Sequence, residues 1–220
     1  MSWDNNDFNG FNNSCVKNIG QISINHYLGK YIFELCKNDD LNSFLEIGTW
    51  NGLGSTKCFV DGVRARTNPY IFYSLECNSD KCEFAKKIYS DIPNVNILNE
   101  VLLTDIPDDI NIIFPELMQN ENFKYWNSID FENMKNKKLF FERQNLPKIF
   151  DVVLLDGGEF TTWYEYLIIK DKCKILLLDD TNTLKCNKIK EDLLNNNQWE
   201  IIFINNERNG TMAVKNKLYI

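Results

Sequence analysis

Histidine is nearly absent from this sequence: it occurs once in 220 residues, and none of the seven cysteines forms a Cys-x-x-Cys pair. A structural zinc site needs several closely spaced cysteine or histidine ligands, so none is expected. An odd number of cysteines also does not suit a disulfide scaffold. We therefore expect the cysteines to be reduced and the protein to be cytoplasmic. The cysteines are Cys15, Cys36, Cys58, Cys77, Cys82, Cys173 and Cys186.

Long apolar runs and an excess of basic residues are also missing. Apolar runs such as Val152–Leu155 and Ile175–Leu178 are far shorter than the roughly 20 residues that cross a bilayer. The first residues, Met1–Asn6, have neither the basic start nor the apolar stretch of a signal peptide. The chain has 24 Lys and Arg residues against 31 Asp and Glu residues, which gives a net charge of −7. Binding to a phosphate backbone requires an excess of Lys and Arg instead. Neither a membrane nor a nucleic acid is an expected partner.

A glycine-rich turn is the most informative feature that is present. An apolar strand ends at Glu46-Ile47. The turn that follows contains Gly48, Thr49, Gly52 and Gly54, and Ser55 opens a helix. Glycine lets the backbone turn tightly and approach a ligand, and the free N–H groups of a helix start face that ligand. The spacing is Gly-x-x-x-Gly-x-Gly, which differs from the dinucleotide Gly-x-Gly-x-x-Gly, and no Gly-Lys-Ser/Thr of a P-loop follows. The turn predicts nucleotide-type binding, but its glycine spacing disfavours a nicotinamide-dependent oxidoreductase.

Apolar strands alternate with helical patterns along most of the chain. This alternation predicts a parallel sheet with helices on both faces. Near the end, two strands are joined by a short polar segment with Asn209-Gly210, which indicates antiparallel pairing. The predicted fold is therefore α/β, doubly wound and Rossmann-like, with a mostly parallel seven-stranded sheet and one reversed C-terminal strand. The predicted strands are 43–47, 71–75, 95–98 with a continuation to 103 left open, 151–155, 174–178, 199–204 and 211–214.

One domain of residues 1–220 is expected, with two less regular parts. Residues 1–23 read as an N-terminal arm or cap, followed by an amphipathic helix over 24–37. Residues 104–148 are too long for a structureless loop, so this insertion is expected to carry helices near 114–119 and 131–141. Because specificity usually lies in loops at the carboxyl ends of strands, the insertion is expected to shape the acceptor site.

Acidic residues follow three of the predicted strands. Glu76 ends the second strand, 22 residues after Gly54, where a carboxylate can accept both hydroxyls of a ribose. Asp156 ends the fourth strand, and Asp179 and Asp180 end the fifth, so neighbouring strands about 4.8 Å apart would bring them together. Clustered carboxylates require protonation or a cation, and oxygen ligands favour Mg²⁺ or Mn²⁺. The alternative is a metal-free site in which Asp156 caps a turn and Asp180 caps a helix.

The order of glycine turn, Glu76, Asp156 and terminal reversed strand resembles the class I S-adenosylmethionine-dependent methyltransferases over roughly residues 40–215. The acids after strands four and five are similar to those of metal-dependent O-methyltransferases of the catechol and macrolide-sugar types. The resemblance implies S-adenosylmethionine as co-substrate, a ribose contact at Glu76, and a divalent cation, Mg²⁺ or Mn²⁺, at Asp156, Asp179 and Asp180. It also places the methionine portion against Glu46, Gly48, Thr49, Gly52, Gly54 and Ser55.

The same resemblance implies methyl transfer to a hydroxyl of a small molecule, with a sugar unit of a glycan or nucleotide-sugar as the expected acceptor. A catechol-like phenol and a non-catalytic S-adenosylmethionine-binding module are the alternatives. Glu159 stands where these families have a Lys or His base, so Glu159, together with Asp156, is the expected catalytic group. His26 is the alternative base. A homodimer is left open.

Overall fold

A seven-stranded sheet runs through the protein, which a computed structural model describes over residues 21–219. Most of the predicted arm, residues 1–20, lies outside the described residues, as does Cys15. A separate parallel pair is formed by β4 and β5. In chain order the strands are β1 (Ser43–Ile47), β2 (Ile71–Leu75), β3 (Val95–Leu98), β4 (Glu100–Val101), β5 (Lys138–Leu139), β6 (Phe150–Leu155), β7 (Cys173–Asp179), β8 (Trp199–Asn205) and β9 (Thr211–Asn216).

The strand order confirms the predicted topology. The sheet runs β3-β2-β1-β6-β7-β9-β8, and β9 alone is reversed, since it pairs antiparallel with both β7 and β8. Strands β6 and β7 are parallel neighbours with Leu155 opposite Leu178. Their carboxyl ends, and those of β1 and β2, therefore lie along one edge of the sheet, here called the carboxyl edge.

Helices cover both faces of the sheet, because β1 and β6 are buried along their whole length. On one face Phe44 of β1 packs with Leu28 and Phe59, and on the other Leu45 packs with Tyr166 and Leu176. The first face carries α1 (Tyr27–Lys37), α2 (Ser55–Arg64) and α3 (Ser79–Tyr89), and the second carries α7 (Thr162–Ile169) and α8 (Asn187–Asn195). No helix within the described chain is both long and apolar enough to cross a membrane.

The insertion between β4 and β6 carries three helices, α4 (Ile110–Ile113), α5 (Glu116–Gln119) and α6 (Glu121–Met134). The predicted helix over 131–141 is wrong, because α6 ends at Met134. Asn136 has a φ of 62°, the left-handed conformation that commonly ends helices, and β5 and a 3₁₀ turn follow it. The insertion contributes Phe114, Phe123 and Phe131 to an aromatic cluster that also contains Phe160 and Tyr164, which follow β6.

Several predicted boundaries differ from the structure by a few residues. The first helix begins at Tyr27 rather than residue 24, because Ser23 to His26 form a turn in which the Ser23 N–H donates to His26 Nδ1 at 2.9 Å. Helix α3 begins at Ser79, because the Asn78 side chain caps it by accepting from the N–H groups of Asp80 and Lys81. Strand β3 stops at Leu98 and does not continue to residue 103.

Candidate active site

The glycine turn after β1 is held against the ends of two neighbouring strands. The N–H groups of Gly48 and Thr49 both donate to the Leu75 carbonyl, at 3.0 and 3.1 Å. Gly48 has a φ of +99°, and a Cβ there would collide with the main-chain carbonyl of Asp156. Only glycine therefore brings the turn this close to the end of β6.

Glu46 lies beneath this turn as a buried charged group. Its Oε2 accepts from the Thr56 hydroxyl at 2.7 Å and from the Ser74 hydroxyl, which also contacts Thr49. Within residues 21–219, its Oε1 has no hydrogen-bond partner. Burial raises the pKa of Glu46 to about 7, although the neighbouring hydroxyls favour the charged form.

The remaining residues of the turn, Gly52, Gly54 and Ser55, lie at the start of α2 or just before it. Gly54 directly precedes that helix, Ser55 is buried in its first turn, and the Gly52 carbonyl accepts from the Tyr89 hydroxyl. The six residues predicted to surround the methionine portion therefore lie together at one strand-to-helix turn.

Glu76 connects the turn to the end of β2. The Trp50 N–H donates to its Oε2 at 2.7 Å, and the Asn78 N–H donates to its Oε1 at 2.8 Å. Oε1 also accepts a long hydrogen bond from the Cys77 thiol at 3.8 Å, whereas Oε2 keeps a lone pair for a ligand hydroxyl. Burial raises the pKa of Glu76, and Lys81 opposes this rise.

The three predicted metal-binding acids converge at the ends of β6 and β7. One carboxylate oxygen from each of Asp156, Asp179 and Asp180 lies within 4.8 Å of the others. Asp179 is fully buried, and Asp180 adopts the left-handed conformation with a φ of 56°. The sequence-based expectation that these acids form one cluster is confirmed.

Two basic side chains of the protein already pair with the three acids of this cluster. Lys185 Nζ lies 2.5 Å from Asp156 Oδ1 and 2.9 Å from Asp180 Oδ2, and the Lys185 side chain is only 10% exposed. Arg208 Nη2 lies 2.9 Å from Asp179 Oδ2. The oxygen chemistry suits a hard divalent cation, but a cation would have to displace the Lys185 ammonium from the same oxygens. As arranged here, the site does not fit a metal.

The two predicted catalytic acids lie on either side of Lys185. Its side chain contacts Asp156, and its backbone N–H donates to Glu159 Oε1 at 3.2 Å. Burial raises the pKa of Asp156 to about 7, with Lys185 opposing and the neighbouring Asp179 and Asp180 adding to the rise. Burial also raises the pKa of Glu159. Both carboxyl groups can therefore exchange a proton at pH values nearer neutrality than an exposed acid.

Solved structures match this chain along most of its length, whereas no protein-family model and no curated protein matches it. An O-methyltransferase from Bacillus cereus in complex with SAH is 14% identical, with a TM-score of 0.57 over 90% of this chain and 83% of that one. The O-methyltransferase TomG from Streptomyces achromogenes in complex with SAM is 12% identical, with a TM-score of 0.53 over 86% and 79%. A putative caffeoyl-CoA O-methyltransferase from Staphylococcus aureus is 13% identical, with a TM-score of 0.53 over 86% and 83%.

The chain has the class I S-adenosylmethionine-dependent methyltransferase fold. The carboxyl edge of this sheet carries the glycine turn after β1, Glu76 after β2, Asp156 after β6, and Asp179 and Asp180 at the end of β7. The predicted site residues therefore occupy one continuous region of this fold.

Two further acids border the site, the half-buried Asp130 and the buried Glu165. A Cβ on Gly158 would collide with Asp130 of α6, and a Cβ on Gly157 would collide with Glu165 of α7. Burial raises the pKa of Asp130 to about 6 and that of Glu165 to about 8. Helix α6 therefore reaches the loop after β6, and Asn133 of the same helix accepts from the Asn78 side chain after β2.

Four of these neighbours were missed by sequence reasoning: Lys185, Arg208, Asp130 and Glu165. Arg208 had a usable signal, because it lies in the link between β8 and β9, just before Thr211, and Thr211 pairs with Asp179. The other three had none that separates them from ordinary charged residues of loops and helices. His26 hydrogen bonds to Ser23, and no hydrogen bond within the described chain connects it to the acidic cluster.

Unusual backbone conformations concentrate at the same edge. Trp50, Asp180 and Arg208 have φ values of 53°, 56° and 60°, in the left-handed region that bulky residues seldom adopt. The other non-glycine residues with positive φ in the described chain are all asparagines, which tolerate it: Asn94, Asn136 and Asn145. Such conformations persist where surrounding contacts hold them, and they are frequent at functional sites.

Proposed function

We propose that this protein is an S-adenosylmethionine-dependent O-methyltransferase that acts on a hydroxyl of a small molecule. The proposal depends on one observation: the glycine turn contacts Glu76 on one side and the backbone of Asp156 on the other. A co-substrate held by the turn and by Glu76 would therefore adjoin the acidic cluster. Solved structures of the same fold that are named O-methyltransferases, with SAM or SAH bound, support this assignment.

The residues present fit S-adenosylmethionine. The unpartnered Oε1 of Glu46 and the backbone around Gly48 and Gly52 are suited to its amino acid portion. Glu76 retains acceptor capacity for a ribose hydroxyl. Neighbouring N–H groups at the start of α2 add donors for its carboxylate.

The bound co-substrate supplies a methyl group already activated on a sulfonium sulfur. Asp156, with Glu159 as the second candidate, accepts the proton of the acceptor hydroxyl. As the oxygen–carbon bond forms, the sulfur–carbon bond breaks, so that the products are a methyl ether and a neutral thioether. A base with a pKa near neutrality is well matched to this step. No step is assigned to a divalent cation, because Lys185 and Arg208 hold the oxygens that would bind it.

A sugar hydroxyl of a glycan or nucleotide-sugar is the proposed acceptor. The charged groups around Asp156 supply several donors and acceptors, which suits a ligand with many hydroxyls. A catechol-like phenol is the second candidate, because one matched structure carries the name putative caffeoyl-CoA O-methyltransferase. We also propose that the protein is cytoplasmic, since the described cysteines, Cys36, Cys58, Cys77, Cys82, Cys173 and Cys186, are free thiols.

Calorimetry and a transfer assay test this function. Glu76→Gln should weaken binding of S-adenosylhomocysteine at least about tenfold, since hydrogen bonds to a charged group are lost. Glu83→Gln, on the exposed face of α3, serves as control and should bind like the wild type. The wild type, given S-adenosylmethionine and a panel of nucleotide-sugars, glycan fragments and catechols, should methylate a sugar.

The outcomes separate the alternatives. Unchanged affinity in Glu76→Gln would contradict the ribose assignment. Transfer only to catechols would favour the second candidate acceptor. Binding of S-adenosylhomocysteine without transfer to any acceptor would indicate a non-catalytic module.

A further inference from the structure

We propose that the ammonium group of Lys185 takes the place of a divalent cation in the acidic cluster and donates its remaining N–H to the acceptor oxygen. This proposal rests on the proposed function for its chemical meaning. It makes the site a metal-independent one, built from the chain's own charges.

The first argument is the position of the ammonium. Lys185 Nζ lies within hydrogen-bonding distance of both Asp156 Oδ1 and Asp180 Oδ2, which is where a cation bridging these two residues would lie. Magnesium binds oxygen at about 2.0–2.1 Å, so a metal on these oxygens would lie almost on top of the ammonium. Two cations cannot share this position.

The second argument is the balance of charge. Asp156, Asp179 and Asp180 would repel one another without neighbouring cations. Arg208 pairs with Asp179, and Lys185 pairs with the other two. Asn209 Nδ2 donates to the second oxygen of Asp180 at 2.9 Å. Each of the three acids therefore has a cationic partner from the chain itself, and two of the three negative charges are balanced without an external ion.

The third argument is that Lys185 is held in place rather than freely mobile. A turn returns the chain over Asp180, whose carbonyl accepts from the N–H and the hydroxyl of Thr183. The same segment is tied to the hairpin link, since the Thr181 N–H donates to Gly210 at 2.9 Å. The backbone N–H of Lys185 itself donates to Glu159. These contacts fix the lysine from both sides of the site.

The chemical consequence follows from the donor count of an ammonium. It has three N–H groups, and two are donated to Asp156 and Asp180. Among the described residues, the third N–H has no hydrogen-bond partner. Donated to the acceptor oxygen, it stabilises the negative charge that develops as Asp156 removes the proton. The methyl group then moves from sulfur to that oxygen, and no redox change is involved.

Manganese binding, followed by electron paramagnetic resonance of the purified protein, tests the proposal without requiring turnover. The wild type should leave Mn²⁺ free. Lys185→Met should bind one Mn²⁺ per chain, because it uncovers the carboxylates of Asp156 and Asp180. Lys188→Met, which alters a lysine on α8 that lies over the Phe114 ring, is the matched control and should behave as the wild type.

Activity gives the second readout. Wild-type methyl transfer should be unchanged by EDTA, and Lys185→Met should lose about a hundredfold in rate while its S-adenosylhomocysteine affinity stays the same.

One bound Mn²⁺ in the wild type, lost in Asp179→Asn, would overturn the proposal, as would loss of activity in EDTA. A folded Lys185→Met that binds no Mn²⁺ would also overturn it. If Lys185→Met does not fold, the wild-type Mn²⁺ and EDTA results decide. Calorimetry with S-adenosylhomocysteine on the same samples reports separately on the proposed function.

Discussion

At the scale of single residues, this protein keeps an unusual number of carboxyl groups in positions that disfavour their charge. Burial raises the pKa of Glu46 to about 7, of Asp130 to about 6 and of Glu165 to about 8. Glu165 is the clearest case, because its Oε2 has no hydrogen-bond partner within the described residues. At a pH between its ordinary pKa and its raised pKa, each of these groups keeps a proton in the folded protein that the unfolded chain releases.

The pH dependence of stability should report on Glu165. Its folded-state pKa of about 8 exceeds the ordinary 4.5, so its contribution to stability is fully present below pH 4.5 and is lost as the pH rises through 8. Glu165→Gln does not titrate. When the pH is raised from about 5 to about 8.5, the wild type should therefore lose at least about 2 kcal/mol of unfolding free energy relative to Glu165→Gln.

Urea unfolding at the two pH values measures this difference. Glu132→Gln, exposed on α6, should show no such pH-dependent difference from the wild type. If Glu165→Gln and the wild type keep a constant difference at both pH values, Glu165 is charged in the folded protein and its pKa is not raised.

At the scale of elements, the β8–β9 hairpin completes the site. Antiparallel pairing places Asp179 opposite Thr211, so the hairpin link lies beside the carboxyl end of β7. Arg208 in that link pairs with Asp179, whose side chain is 1% exposed. The reversed strand therefore brings a counter-ion to an otherwise uncompensated buried charge.

Removing that counter-ion should destabilise the protein strongly. Arg208→Ala should reduce the unfolding free energy by about 3 kcal/mol, because Asp179 is left buried and unpaired. Arg64→Ala, at an exposed position on α2, should stay within about 0.5 kcal/mol of the wild type. Adding Asp179→Asn to Arg208→Ala should recover part of the loss in chemical denaturation. An equal effect of Arg208→Ala and Arg64→Ala would show that the hairpin contact contributes little.

At the scale of the whole molecule, the sheet gathers residues from distant parts of the chain at its carboxyl edge. A ligand bound as proposed would contact the turn after β1, the acid after β2 and the loop after β6, and would stabilise the folded state relative to the unfolded chain. The insertion over 104–148, with α6 against the same edge, stays a prediction as the determinant of acceptor choice.

Thermal unfolding should show this linkage. S-adenosylhomocysteine at about 100 times its Kd adds about 2.7 kcal/mol, which corresponds to a Tm increase of roughly 5 to 10 °C for a chain of this size. NAD at the same concentration should leave Tm unchanged, because the glycine spacing does not suit a dinucleotide. An equal shift with NAD, or none with S-adenosylhomocysteine, would contradict the co-substrate assignment.

Local patterns in the sequence determined where the seven strands lie, which strand is reversed and which acids end the strands. Strand β1 was predicted at its observed bounds, and the convergence of Asp156, Asp179 and Asp180 follows directly from parallel pairing of β6 with β7. Apolar runs, glycine turns and strand-end residues act over a few positions, so each can be recognised without the rest of the chain.

Only the tertiary structure decided what compensates the buried acids. Lys185 and Arg208 reach the cluster because a turn and a hairpin return the chain to one edge, and Asp130 arrives from the insertion. In sequence, each is an ordinary charged residue of a loop or helix. Which charges pair depends on burial and distance between segments that are far apart in the chain. For this reason the acids could be predicted, whereas Lys185 could not, and Arg208 had only the hairpin as a signal.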